Sequence, residues 1–282
     1  MTLTVGSLFT GIGGFDLGLE RAGMNVIWQS EINTFASKVL KKHWPNVPNL
    51  GDITKVDWSK IERPDVICGG YPCQPFSTAG RRGGANDPRH LWPAMHNAIR
   101  LLRPRYAIME NVRGHLSLGF GRVLGDLAEI GYDTEWQVIP AAAVGAPHKR
   151  DRVFIVAYSN NSRSRTPERR IDDNWSAQIK ERSNIAQSQF GRHGTEMADT
   201  DGEQLGQRGR TKNIGSENRV WSDYIRRETT NGFRQWWKIE PNVGRVANGV
   251  SDRVDRLKGL GNAIVPQVAE LVGALVVEHS QN

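Results

Sequence analysis

The chain has 282 residues, 38% of them hydrophobic, and a net charge of +7. This length allows one substantial core with a small second module, and the positive charge favours a polyanionic partner such as nucleic acid. The two cysteines, Cys68 and Cys73, are too few for a disulfide framework or a zinc site, which indicates a reducing compartment. No stretch approaches the roughly 20 apolar residues of a membrane span and no signal-type segment opens the chain, so we expect a cytoplasmic protein.

The chain opens with the pattern of a strand, a glycine turn and a helix. Residues 3 to 9 are strand-like, Thr10-Gly11-Ile12-Gly13-Gly14 follows, and the next apolar residues have helical spacing. Glycines let the backbone approach a ligand closely, and the start of a helix offers unpaired N–H groups. The same pattern occurs in plain turns, and it lacks the third glycine of the dinucleotide motif. A nicotinamide-dependent oxidoreductase is therefore disfavoured, whereas the binding of a different cofactor stays a possible interpretation of the turn.

Two acidic residues follow the first helix. Residues 25 to 29 predict a strand that leads to Glu31, which is placed to accept hydrogen bonds from both hydroxyls of a ribose. A glutamate before a helix also stabilises the helix start by its charge, so both interpretations stay open. Further along, Asp52 suits a turn or a capping role before Ile53.

The stretch from residue 65 to residue 84 presents a cysteine just after a strand. A short apolar run at 66 to 68 has the composition of a buried strand, and Cys73 follows in a proline-flanked turn. The carboxyl ends of strands in open α/β sheets are where ligands bind. A thiolate is a nucleophile, and Arg81 and Arg82 are cations able to lower the pKa of this thiol. Composition alone favours a small apolar filler, a description that fits Cys68 better than Cys73.

A carboxylate ends the next predicted strand. Apolar residues at helical spacing from 91 to 102 predict a helix, and residues 106 to 109 predict a strand that delivers Glu110 at its end. This is the same topological position as that of Cys73. Burying a carboxylate there is costly without a purpose or a partner, so Glu110 is a candidate functional residue.

The second half of the chain is more polar. A helix is predicted at 121 to 131, and strands at 133 to 140 and 152 to 157 flank the charged run His148-Lys149-Arg150-Asp151-Arg152, which by itself is typical of a solvated hairpin tip. Residues 160 to 245 have few apolar runs and fit either a disordered insertion or a polar recognition module. An apolar helix that covers a sheet is predicted at 268 to 277.

Six segments, in chain order, resemble the motifs of the DNA (cytosine-5)-methyltransferases of bacterial and phage restriction-modification systems. The longest is Gly69-Gly70-Tyr71-Pro72-Cys73-Gln74-Pro75-Phe76-Ser77. The others are residues 8–15, Asp52-Ile53, Glu110-Asn111-Val112, the charged run 148–152 and residues 261–266. The resemblance covers about residues 3–157 and 243–276.

The resemblance implies a Rossmann-like α/β fold of the S-adenosylmethionine-dependent methyltransferases. Its sheet would be mixed and mostly parallel, with a small irregular target-recognition domain beside it. The implied division is a catalytic domain at 1–158, a target-recognition region at 159–242 and a C-terminal return into the catalytic domain at 243–282.

The resemblance also implies roles for individual residues. Cys73, Glu110 and Arg152 would be catalytic. The residues that would bind S-adenosyl-L-methionine, or its product S-adenosyl-L-homocysteine, are Phe9, Gly11, Gly13, Gly14, Glu31, Ile32, Asp52, Ile53, Pro72 and Asn262. The residues that would contact DNA are Ser77, Arg81, Arg82, His148 and Arg150, with His148 at a position where many members have glutamine. No metal is implied.

The implied reaction is site-specific methylation of cytosine C5 in double-stranded DNA, through a covalent bond between Cys73 and C6 of a flipped-out base. A monomer is expected, with a cognate restriction endonuclease of the same site as a candidate partner. One alternative is a tRNA cytosine-5 methyltransferase, although no cysteine follows Cys73 to supply the Cys-Phe-Thr signature of that branch. A catalytically silent DNA-binding homologue is another, and the intact Cys73, Glu110 and Arg152 argue against it.

Overall fold

The computed structural model describes residues 2–72, 91–117, 119–146, 148–159 and 259–281. At its centre lies a six-stranded sheet in the order β2-β1-β3-β4-β6-β5. The strands are β1 (Thr4–Leu8), β2 (Asn25–Ser30), β3 (Val66–Gly69), β4 (Tyr106–Val112), β5 (Tyr132–Ile139) and β6 (Arg152–Ser159). Strands β2, β1, β3 and β4 run parallel, while β6 lies antiparallel between β4 and β5. The predicted mixed, mostly parallel sheet is confirmed.

Helices cover both faces of this sheet. They are α1 (Gly14–Arg21), α2 (Thr34–His43), α3 (Trp92–Leu102), α4 (Phe120–Glu129) and α5 (Pro266–Gln281), with short 3-10 helices at Ile53–Lys55, Trp58–Lys60, Arg113–Ser117 and Ala141–Val144. Apolar residues of α1 and α5 share one core with alternate residues of the strands, and those of α3 and α4 share the other. All four residues of β3 are buried, as expected of a parallel strand covered on both faces.

Helix α5 closes one face by packing on α1. A Cβ at Gly18 of α1 would collide with the carbonyl oxygen of Pro266, so the two backbones approach closely. By length and hydropathy, Gly259–Gln281 is the one described segment that could cross a membrane. Its apolar residues Leu271, Val272 and Leu275 are buried in the core instead. The apolar character of α5 is therefore that of a core helix.

The predicted strands and helices between residues 3 and 157 that fall on described residues are present, with one difference that affects the site. Strand β4 was expected to end at Met109 and to deliver Glu110 beyond it, but it continues to Val112. The parallel partner β3 stops opposite Met109, whereas the antiparallel β6 pairs with β4 as far as Val112. Glu110 therefore lies inside a strand. Cys73, Ser77, Arg81, Arg82 and the predicted recognition residues 160–242 lie outside the described residues.

Candidate active site

The glycine turn after β1 lies at the carboxyl edge of the sheet, beside the ends of β2 and β3. Its backbone is left-handed at Phe9 (φ 52°), Gly11 (φ 58°) and Gly13 (φ 88°). Gly13 is the N-cap of α1 and, being glycine, provides no side-chain cap for the first N–H groups of the helix. A Cβ at Gly14 would lie 2.6 Å from the carbonyl oxygen of Ile264. The C-terminal segment therefore packs directly against the turn.

Glu31 follows β2 and reaches back to this turn. Its Oε2 accepts the backbone N–H of Gly11 at 2.7 Å, and its Oε1 accepts the backbone N–H of Asn33 at 2.7 Å. Each carboxylate oxygen has a second lone pair, so these bonds orient Glu31 while leaving acceptor capacity for ribose hydroxyls. The next side chain, Ile32, is 72% exposed. An exposed apolar side chain therefore follows directly after an oriented carboxylate.

Asp52 performs the capping role that the sequence left open. Its Oδ1 accepts the backbone N–H of Thr54 at 3.0 Å and the Thr54 hydroxyl at 2.7 Å. These bonds from Thr54, together with the nearby Lys55, lower the pKa of Asp52. Ile53 is buried, so of this pair the carboxylate is the group turned toward solvent. Oδ2 of Asp52 lies 3.6 Å from Lys55 Nζ, a distance too long for a hydrogen bond.

Glu110 and Arg152 form an ion pair at the centre of the site. Arg152 Nε donates to Glu110 Oε1 at 2.8 Å, with 25% of the Arg152 side chain and 13% of the Glu110 side chain exposed. The register explains the contact, because Glu110 lies opposite Phe154 and Arg152 opposite Val112, which makes the two side chains diagonal neighbours on one face. Burial raises the pKa of Glu110 to about 7, although Arg152 and Arg150 act in the opposite direction.

The chain that leads toward Cys73 is anchored beside Glu110. A Cβ at Gly70 would lie 2.8 Å from Glu110 Oε2, so this glycine provides the space that the carboxylate occupies. The Asn111 side chain donates through Nδ2 to the Tyr71 carbonyl at 3.1 Å, and the Tyr71 hydroxyl lies 2.8 Å from His115 Nε2. Pro72, half-buried, is the last described residue before Cys73.

Cys68 is unsuited to thiolate chemistry. It is fully buried in β3, and burial raises the pKa of its thiol well above the usual range. It lies in register with Ser7 of β1, which is in register with Gln29 of β2. Both Ser7 and Gln29 donate to Asp16 of α1, at 2.9 Å and 2.7 Å. Cys68 therefore lies beside a buried hydrogen-bonded group that joins α1 to β1 and β2, and its position is that of a structural residue.

The charged run before β6 divides into outward and inward residues. His148 is exposed, as a residue that contacts DNA would be. Arg150 instead turns inward, and its Nη2 donates to the carbonyls of Gly261 and Ala263, each at 2.7 Å. These two residues flank Asn262, whose side chain is exposed next to the glycine turn.

A model of the family described as C-5 cytosine-specific DNA methylase matches residues 3–248. The chain belongs to this family. The Type II methyltransferase M.HgiBI of Herpetosiphon aurantiacus is 38% identical over 157 residues, which are 53% of this chain and 36% of that protein. The Type II methyltransferase M.Eco47II of Escherichia coli is 39% identical over 167 residues, 56% of this chain and 40% of that protein. The chain thus matches less than half the length of either relative.

Solved structures agree with the fold of a C-5 cytosine-specific DNA methylase. The structure of a DNMT2 mutant from Spodoptera frugiperda superposes with a TM-score of 0.51 at 26% identity, over 60% of this chain and 53% of that one. The predicted Rossmann-like methyltransferase fold is thereby confirmed.

For this member of the family, the structure joins the glycine turn to Glu31 and to the segment around Asn262, and it joins Glu110 to Arg152. The sequence did not single out Gly70 or Asn111 as site residues. Asn111 could have been found, because a polar residue inside the apolar strand pattern after Glu110 needs a buried partner. Gly70 offered no such signal, since the atom that needs its space comes from another strand.

Proposed function

We propose that the chain transfers a methyl group from S-adenosyl-L-methionine to C5 of cytosine at specific sites in double-stranded DNA. The observation that carries this proposal is the partly buried Glu110–Arg152 pair, with its 2.8 Å bond, beside the anchored strand end that precedes Cys73. Membership of the DNA methylase family supports the reaction type. The names of M.HgiBI and M.Eco47II as Type II methyltransferases support DNA as the substrate.

Glu110 has the properties of a proton donor to N3 of cytosine. Because its pKa is about 7, a large fraction of the carboxyl group is protonated near neutral pH. Arg152 holds one carboxyl oxygen at 2.8 Å, which fixes the direction of the other. Protonating N3 withdraws electron density from the ring, so C6 becomes electrophilic. The base must first leave the duplex, at an unstacking cost of about a few kcal/mol.

Cys73 is the nucleophile in this proposal. The chain has two cysteines, and Cys68 is excluded by its burial and by the raised pKa of its thiol. Tyr71, two residues before Cys73, is held by Asn111 next to Glu110, and this contact supports the assignment. Its thiolate would add to C6 while N3 accepts the proton of Glu110. After C5 has gained the methyl group, a base removes the C5 proton, the C6–S bond breaks to release the Cys73 thiolate, N3 returns its proton to Glu110 and the aromatic ring is restored.

The glycine turn and its neighbours fit S-adenosyl-L-methionine. The first turn of α1 lacks a side-chain cap, and Glu31 is held by the N–H groups of Gly11 and Asn33 with acceptor capacity left for a ribose. When bound, S-adenosyl-L-methionine supplies an electrophilic methyl group on a positively charged sulfur and leaves as S-adenosyl-L-homocysteine. The residues that would hold it are Phe9, Gly11, Gly13, Gly14, Glu31, Ile32, Asp52, Ile53, Pro72 and Asn262.

The remaining assignments follow from the same proposal. Residues 1–158 and 243–282 would form the catalytic domain around a target-recognition region at 159–242. Ser77, Arg81, Arg82 and the exposed His148 would contact DNA. A cognate restriction endonuclease would share the recognition site.

The proposal is tested with purified protein, duplex DNA and methyl-labelled S-adenosylmethionine, followed by nucleoside analysis. We expect the label in 5-methyldeoxycytidine, no label with Cys73→Ser, and retained activity with the matched control Cys68→Ala. A parallel incubation with tRNA addresses the alternative substrate. Label in RNA alone, label on another nucleoside, or turnover by Cys73→Ser would overturn the proposal.

A further inference from the structure

Arg150 connects two segments that are far apart in the chain. Its Nη2 donates to the carbonyls of Gly261 and Ala263, at 2.7 Å each, across 111 and 113 residues of sequence. Two bonds from a charged donor to carbonyls on either side of one residue fix the backbone of that residue. The residue between them is Asn262.

The backbone around Arg150 is shaped to direct its side chain inward. Arg150 has a φ of 40°, in the left-handed region that side chains other than glycine adopt at a cost of about 1 kcal/mol or more. The backbone N–H of Ala141 donates to the carbonyl of Lys149, which holds the loop on the 3-10 helix Ala141–Val144. Because this loop is held in place, the strained backbone of Arg150 is consistent with a fixed contact of its side chain to residues 261 and 263.

The segment that Arg150 holds forms a wall of the glycine turn. Ile264 presents its carbonyl where Gly14 leaves room, and a Cβ at Gly259 would lie 3.3 Å from a side-chain carbon of Ile12. Two residues after Arg150, Arg152 binds Glu110 at 2.8 Å. The run from 150 to 152 therefore contacts residues 261–263 at one end and the carboxyl group of Glu110 at the other.

We propose that Arg150 is a positioning residue that clamps residues 261–263 over the glycine turn, and that it is not a contact to DNA phosphate. The clamp would hold Asn262 ready for the cofactor, an interpretation that rests on the proposed function. A phosphate-binding arginine would keep its guanidinium available to solvent. In the structure, two carbonyl acceptors occupy Nη2 of Arg150 instead.

The two roles predict opposite results for Arg150→Ala and Arg150→Lys. If Arg150 is a clamp, both variants weaken binding of S-adenosylhomocysteine in the absence of DNA by about tenfold, because alanine removes the donor and a lysine side chain is one atom too short for its ammonium to reach the position of Nη2. The salt dependence of DNA binding then stays as in the wild type. If Arg150 contacts phosphate, cofactor binding is unchanged, Arg150→Lys is nearly normal, and Arg150→Ala lowers the slope of log K against log salt by about one.

Calorimetry with S-adenosylhomocysteine and fluorescence anisotropy with labelled duplex DNA at several salt concentrations measure these quantities. His148→Ala, in the same charged run, is the matched control, for which we expect unchanged cofactor binding. Unchanged cofactor affinity in both Arg150 variants would overturn the clamp.

Hydrogen exchange tests the clamp without any cofactor. In Arg150→Lys, amides at 259–264 are expected to exchange about tenfold faster while those of α3 do not change, and an unchanged rate at 259–264 would refute the proposal. If the wild type binds no S-adenosylhomocysteine, the proposed function fails, whereas faster exchange in Arg150→Lys still supports the clamp.

Discussion

Replacing Glu110 with glutamine tests whether this carboxyl group is held in its protonated form. The pKa of Glu110 is raised from 4.5 to about 7, so the folded protein binds the proton more tightly than the unfolded chain does. Stability from this group is complete below pH 4.5 and is lost as the pH rises toward 7. A shift from 4.5 to about 7, at about 1.4 kcal/mol per pH unit, corresponds to a loss of about 3 kcal/mol.

Glutamine resembles the protonated carboxyl group and does not titrate. The free energy of unfolding of Glu110→Gln minus that of the wild type should therefore rise by about 3 kcal/mol between pH 4.5 and pH 7 and stay level above it. Urea unfolding at half-unit pH steps measures this difference. Asp16→Asn is the comparison, because burial raises the pKa of Asp16 from 3.8 to about 6. The difference in free energy of unfolding between Asp16→Asn and the wild type should therefore stop rising about one pH unit earlier than it does for Glu110→Gln.

A difference that stays constant, or that falls with pH, would refute the reasoning about Glu110. It would mean that the attraction of Arg152 outweighs the burial of the carboxylate. Glu110 would then be ionised at neutral pH and could not donate a proton to N3 of cytosine.

The glycines of the site give further predictions. Gly70→Ala, whose Cβ would lie 2.8 Å from Glu110 Oε2, should lower kcat about 100-fold in steady-state methylation assays while leaving binding of S-adenosylhomocysteine intact, and a normal kcat would contradict the contact. Gly13→Ala meets both a left-handed backbone and the Trp44 ring, whereas Gly23→Ala meets a similar backbone with open space around it. Gly13→Ala should therefore reduce the free energy of unfolding by at least about 1 kcal/mol more than Gly23→Ala does, and equal losses in urea unfolding would show that the Trp44 contact is absent.

Much of the edge of the sheet could be predicted from local patterns. The apolar run before Gly69, the glycine turn after β1 and the position of Glu31 after β2 each follow from a few consecutive residues. Parallel strands bring their carboxyl ends to one edge, which explains why residues 9–14, 31 and 70–72 lie together.

The contacts between distant segments could not be predicted in this way. Glu110 lies inside β4 because β6 pairs with it from the other side, and nothing in residues 106 to 112 reveals that partner. The inward turn of Arg150 depends on carbonyls more than 100 residues later, whereas its charged neighbours predict a solvated loop. For Asp52 the local sequence predicts a helix cap, and the family resemblance predicts a contact to the cofactor. The bonds from Thr54 to Asp52 confirm the cap, and the cofactor contact stays a prediction.

Mapping a trapped adduct tests the central claim most directly. Duplex DNA made with 5-fluorodeoxycytidine in place of deoxycytidine offers every recognition site a base whose C5 fluorine cannot leave as a proton does. With S-adenosylmethionine present, the account predicts a stable adduct between the protein and this DNA, with the modified nucleotide on the peptide that contains Cys73. An adduct on Cys68, or no adduct from protein that methylates ordinary DNA, would contradict it.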